Sequence, residues 1–292
     1  PDLSLLKWAI KTGRRVFAAL ANSYNTTGLR ASMHQYRLVK ILNDRRIELV
    51  ANHCMPATLQ LAKLGIRPNK LLAWDIPHQT SPNDYSAKQL RSQRPLIVAY
   101  AGSIIKEKGV FDLIEGTKIA RQRGLSVEAV IAGSTDLQCS DGVRFVGRIE
   151  NQAVIDLFRR ADFVAVPSRP EFPEGFPLTM FEAIASRTPI VCSDHPVFQP
   201  VMVDGETAAV FPAGSATGIA DALCRLADSP EAYARLSVNA GLAWSRLDGA
   251  MDWKEMLESW LLDGKDALDL QSHLLSAGHP RRAARPVAAL CA

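Results

Sequence analysis

The feature that most constrains this chain is a regular alternation of short apolar runs with helix-forming segments, beginning at Pro95. Each run is nearly continuous in apolar residues, which is the composition of strands buried on both faces of a sheet. The predicted strands cover residues 96–101, 127–132, 143–146, 163–166, 189–192 and 208–211. This alternation predicts an α/β fold in which a parallel sheet carries helices on both faces.

Two loops that follow predicted strands carry charged residues. Ligands of such sheets bind beyond the carboxyl ends of the strands, so functional residues are expected there. The first loop has Gly102 at the strand end, then Lys106 and Lys108, and a helix that begins near Val110. The free N–H groups at that helix start, together with the lysines, would suit a diphosphate. The alternative is that both lysines are merely solvated.

The second loop, residues 167–177, leads into a helix and brings two acids into one segment. Glu174 stands at the loop tip beside Gly175, and Glu182 follows eight residues later inside the helix. Glu182 has apolar neighbours on both sides, where a carboxylate needs hydrogen-bonding partners such as the hydroxyls of a ribose. The alternative is one loop acid and one helix acid, both solvated.

The first 46 residues differ from the rest of the chain in charge. They carry nine Lys and Arg against two Asp, a net charge of +7, whereas the remainder has 25 basic against 28 acidic residues. The segment is predicted to be helical. Its basic and apolar residues suit either an anionic membrane surface or a solvated helix face that covers a core. Nucleic acid is not expected as a partner, because no binding motif accompanies the charge.

The spacing of cysteine and histidine predicts neither a disulfide framework nor a metal site. The five cysteines are scattered and form no Cys-x-x-Cys pair, and His34 and His53 are interpreted as structural. Reduced thiols of this kind are typical of a cytoplasmic protein. A membrane-spanning helix is not expected either, because no run of about eighteen apolar residues occurs.

Several motifs resemble those of family 4 glycosyltransferases, which are retaining enzymes of the two-Rossmann glycosyltransferase-B (GT-B) fold. The segment from Glu174 to Glu182 resembles the family signature of two glutamates separated by seven residues. The resemblance covers about residues 48–262. Further matching motifs follow in the family's order at residues 100–110, 143–149, 161–168, 188–193 and 203–207.

The resemblance implies a donor site for a nucleotide-diphospho-sugar. Lys108 would contact the diphosphate, Glu182 would hold the ribose hydroxyls, and Glu174 would face the donor sugar near its anomeric centre. Glu174 and Lys108 are therefore the predicted catalytic residues. The other predicted donor-binding residues are Gly102, Ser103, Gly147, Arg148, Gly175, Phe176, Pro177 and Leu178. No metal and no cofactor is expected, because Lys108 and backbone amides would stabilise the leaving diphosphate.

The chain departs from the family pattern at Ser103, Pro177 and Arg187, in residues 195–200, which replace a glycine-rich stretch, and in its first domain. Ser103 stands where members usually carry Arg, and Pro177 and Arg187 replace common glycines. The first domain is incomplete. The expected organisation is a remnant of the acceptor domain (1–75), a linker (76–94), the nucleotide-sugar-binding domain (95–245), a helix that returns to the first domain (246–264) and a weakly ordered tail (265–292).

These features and the family resemblance, which alone implies retention, predict a retaining, metal-independent glycosyltransferase. Its partners would be a nucleotide sugar and a polysaccharide or lipid-linked acceptor, and it would be cytoplasmic and peripheral at the inner face of the membrane. Two alternatives stay open. One is a fragment that binds nucleotide sugar without catalysis, and the other is an epimerase of the same fold acting on the nucleotide sugar itself.

Overall fold

The computed structural model describes residues 2–24, 29–262 and 270–278, which form two compact units. Unit 1 contains the described residues up to Pro77 and those from Leu247 onward, and unit 2 runs from His78 to Arg246. The predicted domain boundaries stay predictions, but the segment expected to be a linker belongs to unit 2 from His78 onward. Lys88 ties this segment to unit 2, because its ammonium donates to the carbonyls of Arg159 and Ala161.

Unit 1 has a small parallel sheet. Its elements in chain order are α1 (Leu3–Lys11), β1 (Val16–Leu20), α2 (Leu29–Leu42), β2 (Ile47–His53), α3 (Cys54–Lys63), β3 (Leu71–Asp75), β10 (Met251–Asp252) and α10 (Trp253–Leu261). Among the described residues the strand order is β1-β2-β3-β10, and every pair is parallel. The carboxyl ends of these strands therefore lie along one edge of the sheet.

The expectation that residues 1–46 are helical is wrong for residues 16–20, which form strand β1. Helix α1 ends where Gly13 adopts a left-handed backbone, with a φ of 66°, and the chain then turns to pair with β2. Val16, Ala18 and Leu20 are buried in alternation, the period of a strand. All five residues of this run are apolar, and a short apolar run does not distinguish a strand from a helix, so only pairing with β2 decides the conformation.

The end of the described chain packs on unit 1. The residues expected to be a weakly ordered tail, 265–292, lie partly outside the described residues. Those from 270 to 278 form two short 3₁₀ turns, and Leu274 between them forms a β-bridge with Leu72 and is only 4% exposed. This part of the predicted tail therefore contributes to the core of unit 1.

Unit 2 has the larger sheet and the predicted strand–helix alternation. Its elements are β4 (Leu96–Ala101), α4 (Val110–Gln122), β5 (Val127–Ala132), β6 (Val143–Gly147), α5 (Asn151–Arg160), β7 (Phe163–Val166), α6 (Leu178–Ala185), β8 (Ile190–Ser193), β9 (Ala209–Phe211), α7 (Ala216–Asp228), α8 (Pro230–Val238) and α9 (Ala240–Ser245). Within the described chain the strand order is β6-β5-β4-β7-β8-β9, and every pair is parallel. The predicted α/β fold is confirmed.

The core of unit 2 explains why its strands are apolar throughout. Val98, Ile131 and Phe163, on three adjacent strands, are fully buried against Leu113 of α4 and Leu223 of α7. Burying a Val, Leu or Phe side chain contributes about 1.5–3 kcal/mol, which favours strands without polar interruptions. Of the helices in the described part of the chain, none combines the length and the apolarity that crossing a bilayer requires.

Candidate functional site

The sheet of unit 2 has one point at which its winding direction reverses. The chain passes from β4 to β5 and β6 on one side of the sheet, and then from β7 to β8 and β9 on the other. The loops after β4 and β7 therefore leave adjacent strands in opposite directions, and a crevice opens between them at the carboxyl edge. This is the topological switch point, where α/β sheets bind ligands.

A cleft of about 570 Å³ lies at this edge of the sheet. The ends of β4, β5 and β6 form its floor, and the first turn of α6 with Glu182 forms a wall. The residues that line it are Ala101, Gly102, Ser103, Ile104, Ile105, Ala132, Gly133, Ser134, Arg148, Ile149, Asn151, Val154, Leu178, Thr179 and Glu182. The volume is that of a typical small-molecule site, and its lining mixes backbone, hydroxyl, amide and charged groups on an apolar frame.

Two glycines allow the backbone segments around the cleft to approach closely. A Cβ atom at Gly133, after β5, would lie 2.3 Å from the carbonyl oxygen of Gly102. Gly109 has a left-handed φ of 70°, and a Cβ there would lie 2.0 Å from the carbonyl oxygen of Pro167, after β7. No side chain fits at such distances, so the loops after β4, β5 and β7 come together only because both residues are glycine.

Glu182 is the acid that the structure places on the cleft wall. It lies half-buried on α6 between Phe181 and Ala183, both of which are buried. Burial raises the pKa of its carboxyl to about 7, and the charge of His78 partly counteracts the rise. A ligand that donates hydrogen bonds to this carboxylate would stabilise its charged form.

Glu174 and Lys108 form a buried ion pair instead of lining the cleft. Lys108 Nζ lies 2.6 Å from Glu174 Oε1, and the two side chains are 17% and 4% exposed. Ser168 Oγ donates a second hydrogen bond to the same oxygen at 2.6 Å. The ammonium also lies 4.1 Å from the centre of the Phe172 ring. Glu174 therefore receives a cation from the loop after β4 and a hydroxyl donor from its own loop.

The loop after β7 is held in place from three sides. Arg169 makes a bidentate ion pair with Asp112 on α4, with N–O distances of 2.8 and 2.6 Å. The carbonyl of Phe172 accepts a hydrogen bond from Nε2 of His195 at 3.1 Å. Ser193 Oγ donates to the carbonyl of Ser168 at 2.5 Å. This loop is thus a braced part of unit 2, and its charges have defined positions.

The structure brings together some of the predicted site residues and separates others. Gly102, Ser103, Arg148, Leu178 and Glu182 all line the cleft. Glu174 and Lys108 lie in the ion pair. Phe176 is 1% exposed and packs edge-to-face on Phe181 and Phe198. Gly147 ends β6, Gly175 lies in the loop, and Pro177 is the N-cap of α6.

Sequence reasoning missed several residues of the cleft. Ser134 lies two positions after the end of β5, as Ser103 does after β4. The expectation that functional residues follow strand ends could therefore have identified it. Asn151 and Val154, on the first turn of α5, and Thr179 on α6 are brought in only by the packing of those helices. Arg187, noted as occupying a common glycine position, has a left-handed φ of 55°, which explains why glycine suits that turn.

Comparisons with known proteins agree with this fold. The family model described as "Glycosyl transferases group 1" matches residues 83–242. Phosphatidyl-myo-inositol mannosyltransferase of Mycobacterium leprae is 26% identical over 238 residues, which are 77% of this chain and 61% of that protein. Alpha-D-kanosaminyltransferase of Streptomyces kanamyceticus is 31% identical over 49% of this chain and 39% of its own length. The chain thus spans less than two thirds of these relatives.

Solved structures share the fold at lower sequence identity. Anabaena HepE in complex with UDP superposes with a TM-score of 0.63 at 18% identity, over 84% of this chain and 72% of that one. Sucrose-phosphate synthase from Thermosynechococcus elongatus superposes with a TM-score of 0.60 at 20% identity, over 88% and 69%. Both likenesses concern the fold.

Proposed function

Because the chain belongs to the glycosyl transferases group 1 family, we propose that it transfers a sugar from a nucleotide-diphospho-sugar to a polysaccharide or lipid-linked acceptor. The observation that carries the proposal is the cleft at the switch point of unit 2, with Glu182 half-buried on its wall. The relatives named above are a mannosyl- and a kanosaminyltransferase, and the structural neighbour HepE binds UDP.

In this proposal the donor lies along the cleft with its ribose at Glu182. Both ribose hydroxyls can donate to that carboxylate, whose partial burial strengthens the bonds. The diphosphate would lie between Gly102, Ser103 and the first turn of α6, where unpaired N–H groups and the helix dipole favour anions. Arg148 lines the same cleft and is the cation assigned to the base end of the donor.

We further propose a retaining, metal-independent reaction of the family 4 type, with Lys108 and Glu174 at its centre. An ammonium has three donors, so Lys108 can keep one hydrogen bond to Glu174 and give another to a departing phosphate oxygen. Glu174 would then face the sugar beside the breaking bond. Backbone amides at the cleft would share the developing charge, in a preorganised site that needs no metal.

Calorimetric titration with UDP, GDP and ADP, alone and as sugar conjugates, tests the donor site. We expect one nucleotide to bind and Glu182→Ala to weaken its binding at least about tenfold, since hydrogen bonds to a charged group contribute about 1.5–3 kcal/mol. Glu115→Ala, at an exposed position on α4, is the matched control. Absence of binding by every nucleotide to a folded sample would refute the donor site.

Product analysis tests the finer claims. NMR of the product should show the anomeric configuration of the donor, and transfer should continue in the presence of EDTA. Inversion, or loss of transfer on chelation with recovery by a divalent cation, would reject the retaining or the metal-independent mechanism. Binding without transfer would favour the non-catalytic alternative, and isomerisation of the donor sugar without an acceptor would favour the epimerase.

Unit 1 offers a surface that would suit an acceptor held at an anionic membrane on the cytoplasmic side. Helices α1 and α2 enclose a cleft of about 500 Å³. Its cationic lining residues are Lys7, Lys11, Arg37, Lys40 and Arg46. Leu5, Trp8 and Tyr36 on the same helices are 61%, 56% and 70% exposed. Cationic and apolar groups side by side are what an anionic lipid surface attracts.

Vesicle sedimentation tests this part of the proposal. The protein should bind phosphatidylglycerol vesicles and not phosphatidylcholine vesicles. Reversing both Lys7 and Lys11 to Glu should weaken binding at least about tenfold, because each basic residue near an anionic surface contributes about 1 kcal/mol. Lys118→Glu in unit 2 serves as the control. Equal binding to both lipids would refute an anionic surface as the partner.

A further inference from the structure

Three side chains that can bind metal ions meet at the carboxyl edge of the unit 1 sheet. His53 is the last residue of β2, Cys54 is the first of α3, and Asp75 is the last of β3. Their candidate ligand atoms all lie within 4.8 Å of one another, and His53 Nε2 lies 3.2 Å from Asp75 Oδ1. Within the described chain this is the one group of three such residues.

The backbone at this cluster is held in an uncommon conformation. Cys54 has a φ of 60°, in the left-handed region, although it is not glycine. Such a conformation costs about 1–3 kcal/mol and tends to occur where side-chain direction matters for function. The buried side chain of Asn52 fixes the turn, since its oxygen accepts from the N–H of His53 at 3.0 Å and its nitrogen donates to the carbonyl of Ala57 at 3.1 Å.

We infer that His53, Cys54 and Asp75 form a binding site for a divalent cation of the zinc type. Sulfur, imidazole nitrogen and carboxylate oxygen are the ligand atoms that Zn²⁺ takes in proteins. The charges also balance, because a thiolate and a carboxylate together neutralise the two positive charges of the ion. All three residues belong to unit 1, and the inference does not depend on the donor cleft proposed in unit 2.

The geometry needs only a small adjustment to hold the ion. Bonds of about 2.0–2.3 Å in a tetrahedral site place ligand atoms about 3.5 Å apart, so a separation at the 4.8 Å limit would close by about 1.3 Å. The side chains of His53 and Asp75 are 11% and 14% exposed, whereas Cys54 is fully buried. The ion would therefore enter past His53 and Asp75, and its fourth position would face the same opening.

Binding would exchange a proton for the cation. A free cysteine carries its thiol proton, whereas the form that binds a metal ion is the thiolate. When the ion binds, the S–H bond breaks, the Zn–S bond forms and the proton leaves to solvent. No oxidant or reductant is involved. The N–H of Ile76 donates to Asp75 Oδ1 at 2.8 Å and keeps the carboxylate oriented.

Titration of the full chain with Co²⁺ after dialysis against a chelator tests the site. One equivalent should produce the absorption bands of tetrahedral Co²⁺ and a thiolate-to-cobalt charge-transfer band, and Zn²⁺ should displace it. Calorimetry in two buffers of different ionisation enthalpy should show about one proton released per ion. Cys139→Ser, at an exposed cysteine of unit 2, should leave all of these readouts unchanged.

Substitution of the ligands decides whether these three residues are responsible. Cys54→Ala should abolish the charge-transfer band. Asp75→Asn, which keeps the side-chain size, should weaken binding at least about tenfold and serves if the Cys54 variant does not fold. The site is refuted if wild type shows no stoichiometric thiolate band, or if the band survives in a folded Cys54→Ala variant. Nucleotide binding to unit 2, measured in the same samples, fails or succeeds independently.

Discussion

The loop before α6 and the first turns of α6 itself lie side by side in sequence but treat their acids in opposite ways. Glu174, in the loop, is 4% exposed and receives hydrogen bonds from Lys108 and Ser168. Glu182, on the helix, is half-buried, and burial raises its pKa to about 7 although the charge of His78 counteracts the rise. The Glu174 carboxylate thus has hydrogen-bond donors before a ligand binds. Glu182 on the cleft wall would receive its hydrogen-bond donors from the ligand.

The two acids therefore contribute differently to the free energy of unfolding. The ion pair stabilises the folded loop. Removing one of its two members would lower the free energy of unfolding, because the other charge would remain buried. The ionised form of Glu182 lowers the free energy of unfolding. The same ionised form would contribute to donor binding. Changes to the ion pair should therefore lower stability as well as transfer, whereas changes at Glu182 should appear mainly in affinity and in its pH dependence.

The largest expected effect comes from breaking the buried pair. Lys108→Met leaves the Glu174 carboxylate buried without its cation, so the free energy of unfolding should fall by about 3 kcal/mol. Denaturation by urea measures it. Lys118→Met, which breaks the exposed pair with Glu115, should cost less than about 1 kcal/mol. Combining Lys108→Met with Glu174→Gln should recover part of the loss, and similar losses for both lysine variants would contradict the contrast.

A smaller effect is expected from the backbone contact that supports the loop. Gly109→Ala places a Cβ atom 2.0 Å from the carbonyl oxygen of Pro167 and should cost about 3 kcal/mol or slightly less, as the loop shifts to relieve the contact. Gly147→Ala has nearly the same φ, 71°, but meets nothing within 4 Å, so it should cost about 1 kcal/mol. Urea denaturation compares the two, and an equal cost would show that no contact forms at Gly109.

The smallest expected effect is the pH dependence of folding stability that Glu182 causes. Its folded pKa of about 7 lies above the ordinary value of 4.5, so the folded state favours the protonated carboxyl. The stability that this proton contributes is present below the unfolded pKa and is lost as the pH rises through about 7. Glu182→Gln should therefore raise the melting temperature at pH 8 and leave it nearly unchanged at pH 4.

Donor affinity should rise with pH, whereas the stability that the Glu182 proton contributes falls. A ribose hydroxyl donates to the ionised carboxylate, whose fraction rises from about one tenth at pH 6 to about nine tenths at pH 8. Affinity should rise up to about ninefold over this interval in wild type and stay flat in Glu182→Gln. Calorimetry at the two pH values checks it. A wild-type affinity that does not change with pH would remove Glu182 from the donor site.

Local pattern was enough to predict the sheet of unit 2. Its strands are buried on both faces, so apolar runs such as residues 96–101 and 127–132 stand out from the amphipathic helices between them. The position of the cleft agrees with the same pattern, because Gly102, Arg148 and Leu178, which line it, come directly after strands or at a helix start. Strand β1 was missed because its five residues are all apolar, so the sequence shows no alternation, and a short apolar run does not distinguish a strand from a helix.

By itself, the sequence determined the fold class, the strand ends at which a ligand can bind and the candidate acids, because each depends on residues close together along the chain. Tertiary structure alone decided how these residues are grouped. Lys108 reaches Glu174 across 66 positions because β4 and β7 are neighbours in the sheet. Likewise, His53, Cys54 and Asp75 meet because β2 pairs with β3. Such contacts depend on strand order, which no local pattern contains.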